Sequence, residues 1–101
     1  MRHLPPSTIA TIRLVSINDV YKLENLPKLQ NFLSKLSKQD HTRPNGVLLC
    51  GDFVSPSTLS SLDGGRGMCD TLRAAGITHC IFGNHEADIS LATLRDRVKE
   101  L

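Results

Sequence analysis

Three short apolar runs in this chain each stop at a polar residue able to do chemistry. Leu14-Val15-Ser16-Ile17 runs into Asn18-Asp19, and Val47-Leu48-Leu49-Cys50 runs into Gly51-Asp52. Ile77 to Phe82 stops at Gly83 and presents Asn84, His85 and Glu86 in consecutive positions. Asp carboxylates, an Asn carbonyl and a His imidazole are hard or borderline donors, suited to Mg, Mn, Fe or Zn rather than to a soft thiolate site. A carboxylate lying between two cations can bridge them. Paired metals roughly 3.5–4 Å apart recur in phosphate-ester hydrolysis, where one acidifies a bound water and both neutralise phosphoryl charge.

Each residue also has an ordinary reading. An Asp after a strand is often a helix N-cap or turn residue, and Gly-Asp is common turn chemistry. A single histidine is more often a surface or core residue than a catalyst. Three strand-end occurrences in one short chain shift the balance toward a site.

The elements that must position these groups follow from periodicity. Runs of four to six apolar or β-branched residues ended by glycine read as buried strands. The spacing predicts a first strand over Ile9 to Ile17, nearly continuous in apolar character, as for a strand covered on both faces. A helix follows, with Asn25 as its cap, Pro27 in its first turn and Leu26, Leu29, Phe32, Leu33 and Leu36 on one face. The polar link Gln39 to Gly46, which contains His41, Arg43-Pro44 and Asn45-Gly46, leads into a second strand, Val47 to Cys50. Ser55 and Ser57 lie in the loop beyond Asp52, either as contacts to a substrate or as a capped helix turn starting at Pro56. Asp63-Gly64-Gly65-Arg66-Gly67 lacks the Gly-Lys-Ser/Thr ending of a phosphate-binding loop and does not follow a strand, so it reads as a turn into a helix over Met68 to Ala75. Met68, Leu72 and Ala75 supply the buried face of that helix, and Gly76 ends it. After the third strand, Asp88 or Ser90 can cap a last helix with Leu91, Leu94, Val98 and Leu101 on one stripe. The alternation is that of an α/β fold whose parallel strands carry ligands at their C-terminal edge.

Gly51-Asp52 with Ser55 and Ser57, followed by Gly83-Asn84-His85-Glu86, resembles the calcineurin-like metallophosphoesterases. Asn18-Asp19-Val20-Tyr21 is similar to their first motif, Asp-x-His, with Tyr in place of His. The closest flavour is the branch related to 5'-nucleotidases. The resemblance spans roughly residues 13 to 89 and implies the N-terminal half of a four-layer sandwich. It implies two divalent or trivalent ions (Mn, Fe, Zn or Mg), with Asp19 on one, Asp52 bridging both and Asn84 on the second. His85 would then protonate the leaving oxygen or stabilise the transition state. Tyr21 stands as an unusual ligand, a hydrogen-bonding substitute or the mark of a weakened first metal site. The family also supplies histidines from a middle segment and from a downstream Gly-His-x-His motif. This chain reaches Leu101 without them, and its other histidines, His3, His41 and His79, do not replace them. The expectation is a partial domain over residues 9–101 behind a flexible lead-in over 1–8, weakly active or inactive by itself and lacking the C-terminal half of its own domain.

Composition narrows the partners. A net charge of +2 with signs interspersed offers no stripe for nucleic acid or an anionic membrane. One Tyr, three Phe and no Trp argue against aromatic stacking platforms for bases. Cys50, Cys69 and Cys80, odd in number and without CxxC spacing, read as buried reduced residues. No secretory leader or membrane span is visible, so a cytosolic location is the expectation. The expected partner is a phosphate-ester small molecule or a nucleotide. The competing reading is a non-catalytic regulatory or interaction module that retains the fold. A metal-free nucleotide-binding domain would need a glycine-rich loop after the first strand, and Ser16-Ile17-Asn18-Asp19 offers none.

Overall fold

The middle strand organises the domain. In the computed structural model, β2 (Gly46–Cys50) lies between β1 (Leu14–Ile17) and β3 (His79–Ile81), parallel to both. The structure describes every residue except 1, 2, 4, 6, 7 and 41–43 and the side chain at 40. The expected lead-in over 1–8 and the link residues His41 and Arg43 therefore lie largely outside the described residues. A one-turn helix, Leu23–Asn25, opens into α1 (Leu26–Asp40). Beyond β2 come α2 (Thr58–Asp63) and α3 (Arg66–Ala75), and beyond β3 a second short turn, His85–Asp88, precedes α4 (Leu91–Glu100). This is a mixed α/β fold in which parallel strands alternate with helices.

The strand order explains which residues are buried. Register aligns Val15 with Val47 and Ile17 with Leu49, which in turn opposes Cys80. These residues share one face of the sheet, since side chains alternate along a strand. Right-handed crossovers made in the same direction across the sheet place their helices on the same side. α1 and α3 accordingly pack over that face, where Leu26, Leu49, Phe53, Val54, Met68, Cys69, Leu72 and Ala75 form the core. The expectation of strands covered on both faces is corrected: Leu14 is 59% exposed and Ile81 64%. Cys50 shares their face and is exposed, not buried as expected.

Several boundaries also differ. The first strand begins at Leu14, not Ile9, because its partner β2 begins opposite it at Gly46, and Ile9 and Ile12 are exposed. β3 begins at His79 because the Thr78 hydroxyl accepts the Val47 N–H at 2.9 Å, where a ladder bond would otherwise form. Asn25 belongs to the short turn before α1 and is not its cap, and Phe32 faces solvent. Ser57 caps α2 by accepting the Ser60 N–H at 2.9 Å. Between α2 and α3 the Asp63 carboxylate accepts the N–H groups of Gly65 and Gly67, which turns the glycine-rich stretch into the start of a helix. Gly76, at φ 103°, ends α3 as expected. Ser90, not Asp88, caps α4. On α4 the apolar stripe is largely outward, with Leu91 and Val98 exposed. Arg97 is the buried residue, 3.1 Å from Glu100, which also meets Arg66 of α3 at 3.4 Å. Among the described residues no helix is long and apolar enough to cross a membrane.

Candidate active site at the strand ends

The loops after the three strands are stitched to one another by main-chain bonds. Asp19 N–H donates to the Gly51 carbonyl at 3.2 Å and Val20 N–H to the Asp52 carbonyl at 3.0 Å. Asp19 and Asp52 both adopt left-handed backbone, φ 54° and 58°, a conformation Asp tolerates better than most residues. The second and third loops meet at glycines. A Cβ on Gly51 would lie 2.6 Å from the Gly83 nitrogen, and one on Gly83 would lie 2.2 Å from Asp52 Oδ1. Glycine at both positions is therefore what lets the Asp52 carboxylate sit against the turn after β3.

Glu86 locks this junction. Its carboxylate is 1% exposed and accepts the N–H groups of Asp52, Phe53, Val54 and Gly83 at 2.6–3.1 Å. Burial pushes the carboxyl pKa up, but the four donors outweigh it and leave it below its ordinary value. Periodicity alone presents Glu86 as one more polar residue after a strand. Three of its four donors lie more than thirty positions away.

With the loops fixed, the polar side chains gather. His85 N–H donates to Asp52 Oδ1 at 2.9 Å. The His85 ring places Nδ1 2.8 Å from Asp88 Oδ2, and Ser55 Oγ donates to the same oxygen at 2.9 Å. An ionised carboxylate only accepts, so Nδ1 carries the hydrogen and Nε2 is the nitrogen left for other work. The Asp88 bond raises the imidazole pKa, while His85 and then Ser55 lower that of Asp88. The sequence offers Asp88 as a helix cap, and the structure gives it to the imidazole instead. The signal for it was its position three residues after His85, within reach across one turn. Tyr21 donates its hydroxyl to Asp19 Oδ1 at 2.8 Å, and Asn18 donates to Oδ2. These two bonds, Tyr21 first, hold the Asp19 carboxyl below its usual range, and the Asp19 bond pushes the Tyr21 phenol up to about 12. A cavity of about 340 Å³ opens beside this loop, lined by Asn18, Asp19, Tyr21, Lys22 and Asn25 over a floor that includes Leu26 and Leu29.

The structure thus brings Asp19, Tyr21, Asp52, Ser55 and His85 to one edge of the sheet. Asn84 sits beside them, exposed, at the start of the turn that carries His85. Ser57 is occupied as a helix cap. Oxygen donors from Asp19, Asp52 and Asn84 match a hard divalent cation in kind. Among the described residues, no three or more His, Cys, Asp or Glu side chains are grouped so as to hold a metal ion. The agreement is therefore in donor chemistry, with a short ligand set.

Fold and site together define a parallel α/β domain with an acidic, imidazole-bearing site at its strand ends. The chain belongs to the calcineurin-like phosphoesterase family, whose model matches residues 12–100. No curated protein and no solved structure matches it. The family hydrolyses phosphoesters with divalent metals in general, which is the coarse activity its membership implies.

Proposed function

We propose that this domain is a metal-dependent phosphoric ester hydrolase acting on phosphomonoesters, nucleotides among them, in the branch related to 5'-nucleotidases. The observation that carries this reading is the meeting of His85 and Asp52, with the imidazole held at Nδ1 by Asp88. Asp19, Asp52 and Asn84 hold the cations. When bound, these ions supply positive charge against the phosphoryl oxygens and acidify the attacking water. The chain's own part is positional and protonic. Asp88 keeps Nε2 of His85 turned outward and favours the imidazolium form, from which Nε2 gives its proton to the leaving oxygen and the ring is left neutral with its hydrogen on Nδ1. Ser55 keeps Asp88 in place.

For the 101-residue chain by itself, turnover is weak, because two carboxylates and an amide leave two cations short of ligands. The short ligand set also favours a second reading, a non-catalytic module that retains the phosphoesterase fold. A p-nitrophenyl phosphate and nucleoside monophosphate assay with added Mn²⁺, beside calorimetric Mn²⁺ titration, separates them. The hydrolase reading expects Mn²⁺ binding and slow turnover that disappears in His85→Ala. Binding without turnover supports the module. A chain that neither binds Mn²⁺ nor exceeds the His85→Ala rate sinks the hydrolase reading.

A further inference from the structure

We propose that Tyr21 is a positioning residue that holds Asp19 and the His85 imidazole in one arrangement, and that it makes no bond to a metal. The part concerning cations rests on the hydrolase reading above. Tyr21 touches both groups with different parts of one side chain. Its hydroxyl donates to Asp19 Oδ1 at 2.8 Å. Its ring meets the His85 imidazole edge to face, centroids 6.2 Å apart and planes at 88°. That perpendicular arrangement is one that aromatic quadrupoles favour.

The first contact bears on how Asp19 can serve a cation. Oδ1 has the Tyr21 hydroxyl and Oδ2 the Asn18 amide. Each carboxylate oxygen keeps a further lone pair, so the group is oriented without being blocked. A phenol whose hydrogen points at a carboxylate is neutral, and a neutral phenol is a poor ligand for Zn or Mn. Partners that orient a ligand are a known determinant of metal affinity.

The second contact bears on the imidazole. Asp88 holds His85 by one edge of the ring, at Nδ1. The Tyr21 ring supplies a second point of support. β1 and β3 flank β2, so Tyr21 connects the two outer strand-end loops across the middle one.

Hydroxyl and ring can be tested apart. Tyr21 is the only tyrosine and the chain has no tryptophan, so intrinsic emission reports on it alone. A phenol bonded to a carboxylate is quenched, so metal-free Asp19→Ala should emit more strongly than the wild type. Unchanged emission overturns the Asp19 contact. Tyr21→Phe should keep the His85 ring-proton NMR shifts, and Tyr21→Leu should move them, with circular dichroism confirming that both variants fold. Shifts that stay put in Tyr21→Leu overturn the ring contact. Both variants should weaken Mn²⁺ binding about 10-fold. Wild-type affinity in Tyr21→Phe refutes the orienting role, and a loss of about a thousandfold or more marks Tyr21 as a ligand and refutes the proposal. A wild type that binds no Mn²⁺ but shows the quenching and the His85 shifts supports the two contacts and counts against the hydrolase reading instead.

Discussion

The Glu86 carboxylate accepts the Asp52 backbone N–H at 2.8 Å, so the residue after the imidazole holds in place the loop that carries the central acid. Two strand ends separated by more than thirty residues are joined by one buried side chain. The three N–H groups that follow β2, from Asp52 to Val54, all point at it. Buried main-chain donors need acceptors, and here a single charged group serves all three together with Gly83.

Glu86→Gln tests that arrangement. The amide keeps the volume but offers one oxygen where four donors converge, and its NH₂ faces donors. Stability should fall by about 3 kcal/mol, measured by urea denaturation. The folded carboxyl is held below its ordinary value of 4.5, so its stabilising contribution is present above that pH. It is lost as pH falls through the lower folded value. The wild type should therefore lose more stability than Glu86→Gln on acidification below about pH 4.5. Equal acid sensitivity in the two proteins would show that Glu86 is not the group responsible.

Much of this junction is legible before any coordinates. Gly51 and Gly83 mark where apolar runs stop, and each stops because the backbones approach too closely for a Cβ. Asp52 and His85 follow those stops, Asp19 follows Asn18 at the end of the first apolar run, and the three meet at one edge because parallel strands all end on the same side. Glu86 is not legible in that way, since three of its four donors come from a loop distant in sequence, whereas Asp88 stands three residues from the imidazole it holds. The exposed face of the sheet is hidden for a related reason. Leu14, Leu48 and Ile81 look like core residues along the chain, and only the strand order with its crossover hand places both helices on the opposite side. The stripe of α4 likewise points outward, and its packed side instead carries Arg97 and Glu100, the latter meeting Arg66 of α3.

Gly83→Ala puts a methyl group 2.2 Å from Asp52 Oδ1 and 2.9 Å from the Asp52 nitrogen. Backbone as well as side chain must then yield, so the damage reaches the main-chain scaffold. The variant should lose the His85 N–H to Asp52 bond while α1 and α3, remote from the contact, keep their packing. Helical circular dichroism should be retained, with the His85 amide shift moved and Mn²⁺ affinity reduced about 10- to 100-fold. An unmoved His85 amide would show that the loop absorbs the methyl elsewhere.

The cysteines should differ sharply toward a thiol reagent. Burial pushes the Cys69 thiol up to about 12, so it remains protonated and enclosed at pH 8. Cys50 is exposed on the uncovered sheet face. Iodoacetamide at pH 8 should label Cys50 in the native protein and leave Cys69 unlabelled until urea is added, as peptide mass mapping would read. Native labelling of Cys69 would mean that α3 opens from the sheet far more readily than its packing indicates.

Asp52→Asn separates charge from scaffold at the centre of the site. The amide oxygen can take over from Oδ1 as acceptor for the His85 N–H, which lies 2.9 Å away. Asn also tolerates the left-handed backbone found at this position, φ 58°. The loop should therefore persist, with stability within about 0.5 kcal/mol of wild type. What disappears is the negative charge proposed to bridge two cations, which affects both at once. Calorimetry should show Mn²⁺ affinity reduced about 100-fold or more, and any phosphomonoester turnover should vanish with it. A variant that binds Mn²⁺ as the wild type does would remove Asp52 from the ligand set and leave it a purely structural partner of His85.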